Sequence, residues 1–386
     1  MEELKTLNEI KKDIINYYKK LGFLYAKANT KSKRKRLVSS IAILDHICSS
    51  EFFNFNDLCG VWDNDIELQK VMEKIYSQFC QNVEDNILLI NETSKKTIDA
   101  FKSANYPFYR KHSYCHYLPM NIIFGLVKDF YHSFDDETVK DFINSFNKEN
   151  LYVEDFPTDY SGLLFPFDVI RKNIILINNN SPQNIYFASS LAHELGHAYE
   201  SFLYYKSDMF DNGNTIFSEV VSSFFEYAFL KYLKENNIYN EGIDNELDIF
   251  YLELFDDAFS SYLLSLMNER KPSDEGEICL NDKKVMDKGE EIKSKLNYFT
   301  ELPSYQDTIR YRDAFIYYIG KLFAISLYDS YKDNPKEFMK DFKTALVNYP
   351  KSRSIDSFEI VGINKENLCN SKVLTRELKK FSSESK

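Results

Sequence analysis

The chain has 386 residues, 44% hydrophobic and 16% aromatic, with 48 basic against 59 acidic side chains and a net charge of −11. That is enough apolar material for one large domain or two lobes. An acidic balance of this size argues against nucleic acid or an anionic membrane as the main partner.

The N-terminal stretch MEELKTLNEIKKDIINYYKK mixes charges throughout and has no apolar core of a signal peptide. No window approaches the roughly 18 uninterrupted apolar residues of a spanning helix. The six cysteines are scattered without a CxxC pair, so they read as reduced thiols and the expected location is the cytosol. In chain order, helical spacing of apolar residues predicts helices near 4–28, 33–49, 65–82, 84–103, 118–131 and 136–148. Further helices are expected near 183–205, 215–236, 245–268, 308–332 and 335–347. The basic run Lys31 to Arg36 reads as a solvated helix start. Only DVIRKNIILINNN, 168–180, reads as a strand, a β-branched run closed by asparagines, with LYVEDF at 151–156 as its partner. The segment 271–290 is polar and turn-rich and reads as an exposed loop. The tail KKFSSESK reads as frayed. The fold class expected is mainly α, with a small sheet edge. A helical N-terminal lobe spans 1–150 and a second lobe 151–386.

The chemistry concentrates at SSLAHELGHAYES, 189–201. His193 and His197 are four apart, so on a helix they share one face and can present two imidazoles to one ion. Glu194 sits one step round, placed to take a proton from metal-activated water. The ligand set needs a third member. The following segment, TIFSEVVSSFFEYAFLKYL at 215–233, is apolar except for Glu219, Ser222, Ser223 and Glu226, which fall at i, i+3, i+4 and i+7. Buried carboxylates are costly unless paired or bound to metal, so Glu219 is the expected third ligand. Glu226 is expected to orient a ligand histidine or to be structural rather than to bind the ion. Two histidines, a glutamate and one open position describe a catalytic zinc site with one ion per chain.

SLAHELGHA followed by SEVVSSFFE resembles the oligoendopeptidase F branch of the M3, thimet oligopeptidase-like metallopeptidases, a gluzincin arrangement. DYSGLLFPFDVIRKNIILINNN, 159–180, resembles that family's glycine turn and short strand. TIRYRDAFIYYIGKLFAISLYDSY, 308–331, resembles its tyrosine-rich helix, and 338–364 its C-terminal end. The resemblance implies a multi-helical metallopeptidase fold with a deep cleft beside the HExxH helix. It also implies zinc held by His193, His197 and Glu219, with Glu194 as general base, and short peptides as substrates. The strand near Ile174 to Leu176 would pair with an extended substrate backbone. Three departures stand out: the chain is shorter than typical members, His197 and Glu219 are spaced more tightly, and no histidine follows His197. The family's oxyanion histidine is therefore missing, and Tyr311, Tyr318 and Tyr317 are the candidate hydroxyl donors. The activity expected is hydrolysis of short peptides; the alternative is a zinc-bound, catalytically weak module that binds peptides or a protein. KHSYCH, with His112, Cys115 and His116, carries ligand types at helical spacing, but burial or surface placement is the plainer reading. His46 and His132 read as packing residues.

Overall fold

A computed structural model describes parts of 20–37, and residues 90–108, 117–146, 150–154, 162–167, 172–178, 183–207 and 219–266. It further describes 277–279, 283–296, 298, 308–352, 355–363 and 370–384. The helices expected near 4–28, 33–49 and 65–82 fall largely or wholly outside these residues, as do His46 and the KHSYCH group.

The described residues are mostly helical, as expected. A helix over 90–104, α1, is followed by α2 (Met120–Ser133) and α3 (Glu137–Ser145). The α3 helix opens on Asp136, whose carboxylate accepts the N–H groups of Thr138 and Val139, an N-cap that satisfies two otherwise orphaned donors. Three strands come next: β1 (Leu151–Glu154), β2 (Gly162–Phe167) and β3 (Lys172–Asn178). They form one sheet in the order β1-β3-β2, with β1 parallel and β2 antiparallel to β3.

The strand β2 was not expected, because a proline inside an apolar run argues against a strand. Its tolerance follows from where Pro166 faces. Ile175 donates its N–H to Asn150 O at 2.8 Å, toward β1. Main-chain groups alternate along a strand, so residues 173, 175 and 177 turn toward β1. Their partners on β2 are Pro166, Leu164 and Gly162, which therefore turn away from β3. The proline's missing N–H costs no ladder bond. The sheet also corrects the expectation that Ile174 to Leu176 receives substrate: β3 is central, with both edges occupied, and among the described residues the free edge beside the motif helix belongs to β2.

Then follow α4 (Ile185–Lys206), α5 (Val220–Glu235) and α6 (Asn240–Leu266). The α4 helix is capped by Asn184, whose side chain accepts the N–H of Phe187. Gln183 is held in the preceding segment by the N–H of Leu118 at 2.8 Å, a tertiary contact that delays the helix. Between α5 and α6, Asn237 and Tyr239 take left-handed φ values of 56° and 55°; tyrosine rarely does so, and two such residues turn the chain within four positions.

The loop expected at 271–290 contains β4 (Glu277–Cys279) and the whole first half of α7 (Lys283–Leu296). In α7, Val285, Gly289 and Lys293 form the buried stripe, while Glu291 bridges Lys288 and Lys295 across the exposed face. Its dense charge hid an amphipathic helix. Residues 308–310 form β5, paired antiparallel with β4, so the expected helix begins only at Tyr311, as α8 (Tyr311–Asp333). A helix α9 (Pro335–Ser352), a 3-10 turn (Ile355–Val361) and α10 (Ser371–Glu384) complete the order. The tail is therefore helical to Glu384, docked through Leu374, Leu378 and Phe381, with Phe381 against Tyr106 and Tyr251.

One apolar core runs from Ile90 to Phe381 and includes Phe101, Val127, Leu195, Phe225 and Phe323. Its centre is α5, which carries Phe224, Phe225 and Phe229 at 0% exposure and lies between α4 and α8. Among the described residues no helix is long and apolar enough to cross a membrane.

Candidate metal centre

The motif helix and α5 cross at almost backbone contact. A Cβ on Gly196 would lie 2.6 Å from Ser222 Cα and 3.1 Å from Val221 O. Glycine in a helix interior costs about 1 kcal/mol relative to alanine; here it permits the crossing. On the other side of α5, a Cβ on Gly320 of α8 would meet Glu219 Cβ at 2.7 Å and Ser223 Oγ at 2.8 Å. Two glycines from flanking helices thus bracket the start of α5 and fix where Glu219 lies.

Glu219 is the residue immediately before α5 and makes no capping hydrogen bond. Its carboxylate turns to the histidines instead: Oε2 is 3.1 Å from His193 Nε2 and 3.2 Å from His197 Nε2. Ser222 donates to the same oxygen at 3.0 Å. The three potential ligand atoms all lie within 4.8 Å of one another. Glu226, two turns along α5, accepts from or pairs with His193 Nδ1 at 2.9 Å. That bond directs the opposite nitrogen, Nε2, toward Glu219 and His197.

The surroundings decide the charges. Burial disfavours an imidazolium at His193, but hydrogen bonds and charge from Glu219 and Glu226 outweigh it and hold the group well above its usual value. His197 is raised by Glu219 against the same burial. Burial opposes ionisation of Glu219, yet the two histidines hold it well below the usual carboxylate range. Glu194 is raised, chiefly by burial, with the histidines and the Leu164 N–H of β2 pulling the other way.

Further contacts fix the motif helix. Tyr131 donates to Ala192 O at 3.0 Å, and Asn173 Nδ2 of β3 donates to Ala198 O at 2.7 Å. Behind the site, Lys321 of α8 is buried with Asp257 at 2.9 Å and Glu253 at 3.1 Å, both on α6. Burial works against that ammonium, but Asp257 and Glu253 overcome it, with a further contribution from Glu226. The sequence reading passed over Lys321, although a lone cation in YYIGKLFAISL is a visible signal. The Leu164 main chain had no signal of its own.

The structure thus brings His193, His197, Glu194, Glu219 and Glu226 together. The tyrosines divide. Tyr318 is fully buried, with its hydroxyl 3.0 Å from Thr97 Oγ1 of α1. Tyr317 is 39% exposed and lies under Lys321, whose Nζ is 5.7 Å from the ring centre. The side chain of Tyr311 lies outside the described residues, as does the 301–307 segment before it.

The fold is shared with solved peptidase structures. A protein assigned as oligoendopeptidase F from Bacillus anthracis str. Ames superposes with a TM-score of 0.52 at 13% identity, over 97% of this chain and 74% of that one. A structure of PZ peptidase A with an inhibitor gives a TM-score of 0.54 at 13% identity, over 95% of this chain and 71% of that one. No family model matches the sequence, and no curated protein matches it. The class defined by fold and site is therefore a helical architecture shared with these oligoendopeptidase F and PZ peptidase structures, carrying a His-His-Glu group able to hold a metal ion.

Proposed function

We propose that the protein is a zinc-dependent peptidase acting on short peptides. The observation that carries this reading is the convergence of His193 Nε2, His197 Nε2 and Glu219 Oε2 beside Glu194. Ligand bonds of 2.0–2.1 Å in a tetrahedron put donor atoms about 3.3 Å apart. The two His–Glu separations of 3.1 and 3.2 Å are close to that edge length. Two imidazoles, one carboxylate and an open position are the donor set of catalytic zinc, though cobalt and manganese accept the same groups.

Zinc bound there would supply a Lewis acid that polarises the scissile carbonyl and activates water. The chain's own residues do the rest. Glu226 holds the His193 tautomer, and Ser222 orients Glu219 by donating to its Oε2. Glu194, its carboxyl raised by burial, takes the proton from the attacking water and returns it to the leaving amine. The free edge of β2 offers the main-chain groups for an extended peptide. Tyr317 is the tyrosine we retain as oxyanion donor. It is solvent-accessible and, three residues before Gly320, lies about 60° round the helix from the face that meets Glu219. Tyr318, about 160° from Gly320, is turned to Thr97. Tyr311 stays a candidate. The similarity to oligoendopeptidase F and PZ peptidase structures supports the substrate class.

The test uses a quenched peptide library with the metal-loaded protein. Cleavage is expected, abolished by chelator, and reduced about 10²- to 10⁴-fold in Glu194→Gln with one metal per chain retained. Stoichiometric metal with no cleavage of any peptide would instead identify a binding module.

A further inference from the structure

The free edge of β2 carries an uneven set of hydrogen-bonding groups. Gly162, Leu164 and Pro166 are the residues turned away from β3, because their partners Ile177, Ile175 and Asn173 turn toward β1. A second bond agrees: Asn173 O accepts Asn150 Nδ2 at 2.9 Å, on the β1 side. On the side of β2 turned away from β3, Pro166 has no N–H to offer. That side of β2 thus presents the carbonyls of Gly162, Leu164 and Pro166, but main-chain N–H groups of Gly162 and Leu164 alone among these three.

An added strand normally exchanges both kinds of bond with every second residue it faces. Against this edge, a peptide's N–H groups find acceptors at Leu164 and Pro166. Its carbonyl opposite Pro166 finds no donor and must stay in water.

Resting on the peptidase reading, we propose that Pro166 is a specificity-determining residue that ends two-way strand pairing. The peptide exchanges both kinds of bond with Leu164, donates to but cannot accept from Pro166, and gains little from residues beyond the one facing Pro166. Peptides with proline or an N-methyl group at the positions facing Leu164 or Pro166 are disfavoured. Adjacent positions, whose N–H points to solvent, tolerate the same change.

The experiment reads binding apart from turnover. Dissociation constants of fluorescent peptides are measured by anisotropy on the full-length, metal-loaded Glu194→Gln protein, alone and combined with Pro166→Ala. One peptide set varies length and another carries single N-methyl groups. N-methylation at alternate positions should weaken binding about threefold to tenfold, the worth of one net hydrogen bond, with little effect between. Pro166→Ala should tighten the longer peptides about threefold to tenfold and leave the shortest unchanged. Equal effects at adjacent N-methyl positions, equal effects of Pro166→Ala on short and long peptides, or no binding at all each overturn the proposal. The N-methyl series needs no change at Pro166, so it stands even if that variant folds poorly. Binding with the alternating pattern, but no cleavage by the wild type, would remove the peptidase reading and leave the edge proposal intact.

Discussion

At the scale of single residues, the site depends on which atom each side chain turns toward its neighbour. Glu226 touches His193 Nδ1 at 2.9 Å, so Glu226→Ala should free the ring to rotate. Metal affinity should fall about 10- to 100-fold, read by competition with a chromophoric chelator; unchanged affinity would show that the bond does not orient the ligand. The tyrosines give a paired comparison. Tyr317→Phe should lower kcat about 10²-fold, the scale of one oxyanion donor, with metal content intact. Tyr318→Phe should lose the 3.0 Å bond to Thr97 and about 1 kcal/mol of stability, with kcat preserved. The opposite pattern would reverse the assignment of the two. HELGH exposed the pair of histidines because four residues is a helical repeat. No such rule separates Tyr317 from Tyr318, since only the packing of α8 against α1 and α5 decides which one meets Thr97.

At the scale of elements, three helices meet through two glycines. Gly196→Ala would force a Cβ to 2.6 Å from Ser222 Cα, and Gly320→Ala one to 2.7 Å from Glu219 Cβ. Neither obstruction is the end of a flexible side chain, so the helices must part. Each change should destabilise by about 1–3 kcal/mol and weaken metal binding together with it. Gly125, in the exposed face of α2, has nothing within 4 Å of an added Cβ. Gly125→Ala should be stabilising by about 0.5–1 kcal/mol through helix propensity alone. Thermal unfolding with metal analysis of all three separates the cases; a neutral Gly196→Ala would mean that α4 and α5 can part at this crossing without cost. The sequence marks each of these glycines equally. The difference lies in what stands opposite, and for Gly196 that is a residue 26 positions away.

At the scale of the molecule, a buried charge cluster ties α6 to α8. Asp257 is pushed up to about 6, chiefly by burial, with Lys321 pulling it down. The folded chain therefore keeps a proton there that the unfolded chain, with an ordinary value of 3.8, has already released. The stabilising contribution is present below about pH 4 and is lost as pH rises through about 6, amounting to about 3 kcal/mol. Asp257→Asn removes this titration, so its stability should rise relative to wild type between pH 4 and pH 7. Denaturant unfolding across that range is the measurement, and parallel curves for the two proteins would remove Asp257 as the source.

What the sequence determined by itself were features set within one element. The 3.6-residue repeat placed His193 beside His197, polar residues on an apolar run marked Glu219 and Glu226, and β-branched residues marked β3. What only the tertiary structure decided were relations between elements. The strand β2 exists because its proline faces a free edge, α7 because Val285 and its neighbours find a core, and the α4 cap because Leu118 holds Gln183. The same holds for the site. Periodicity could nominate each ligand, but the closeness of Glu219 to both histidines follows from Gly196 and Gly320 letting three helix backbones approach, a condition no local pattern encodes.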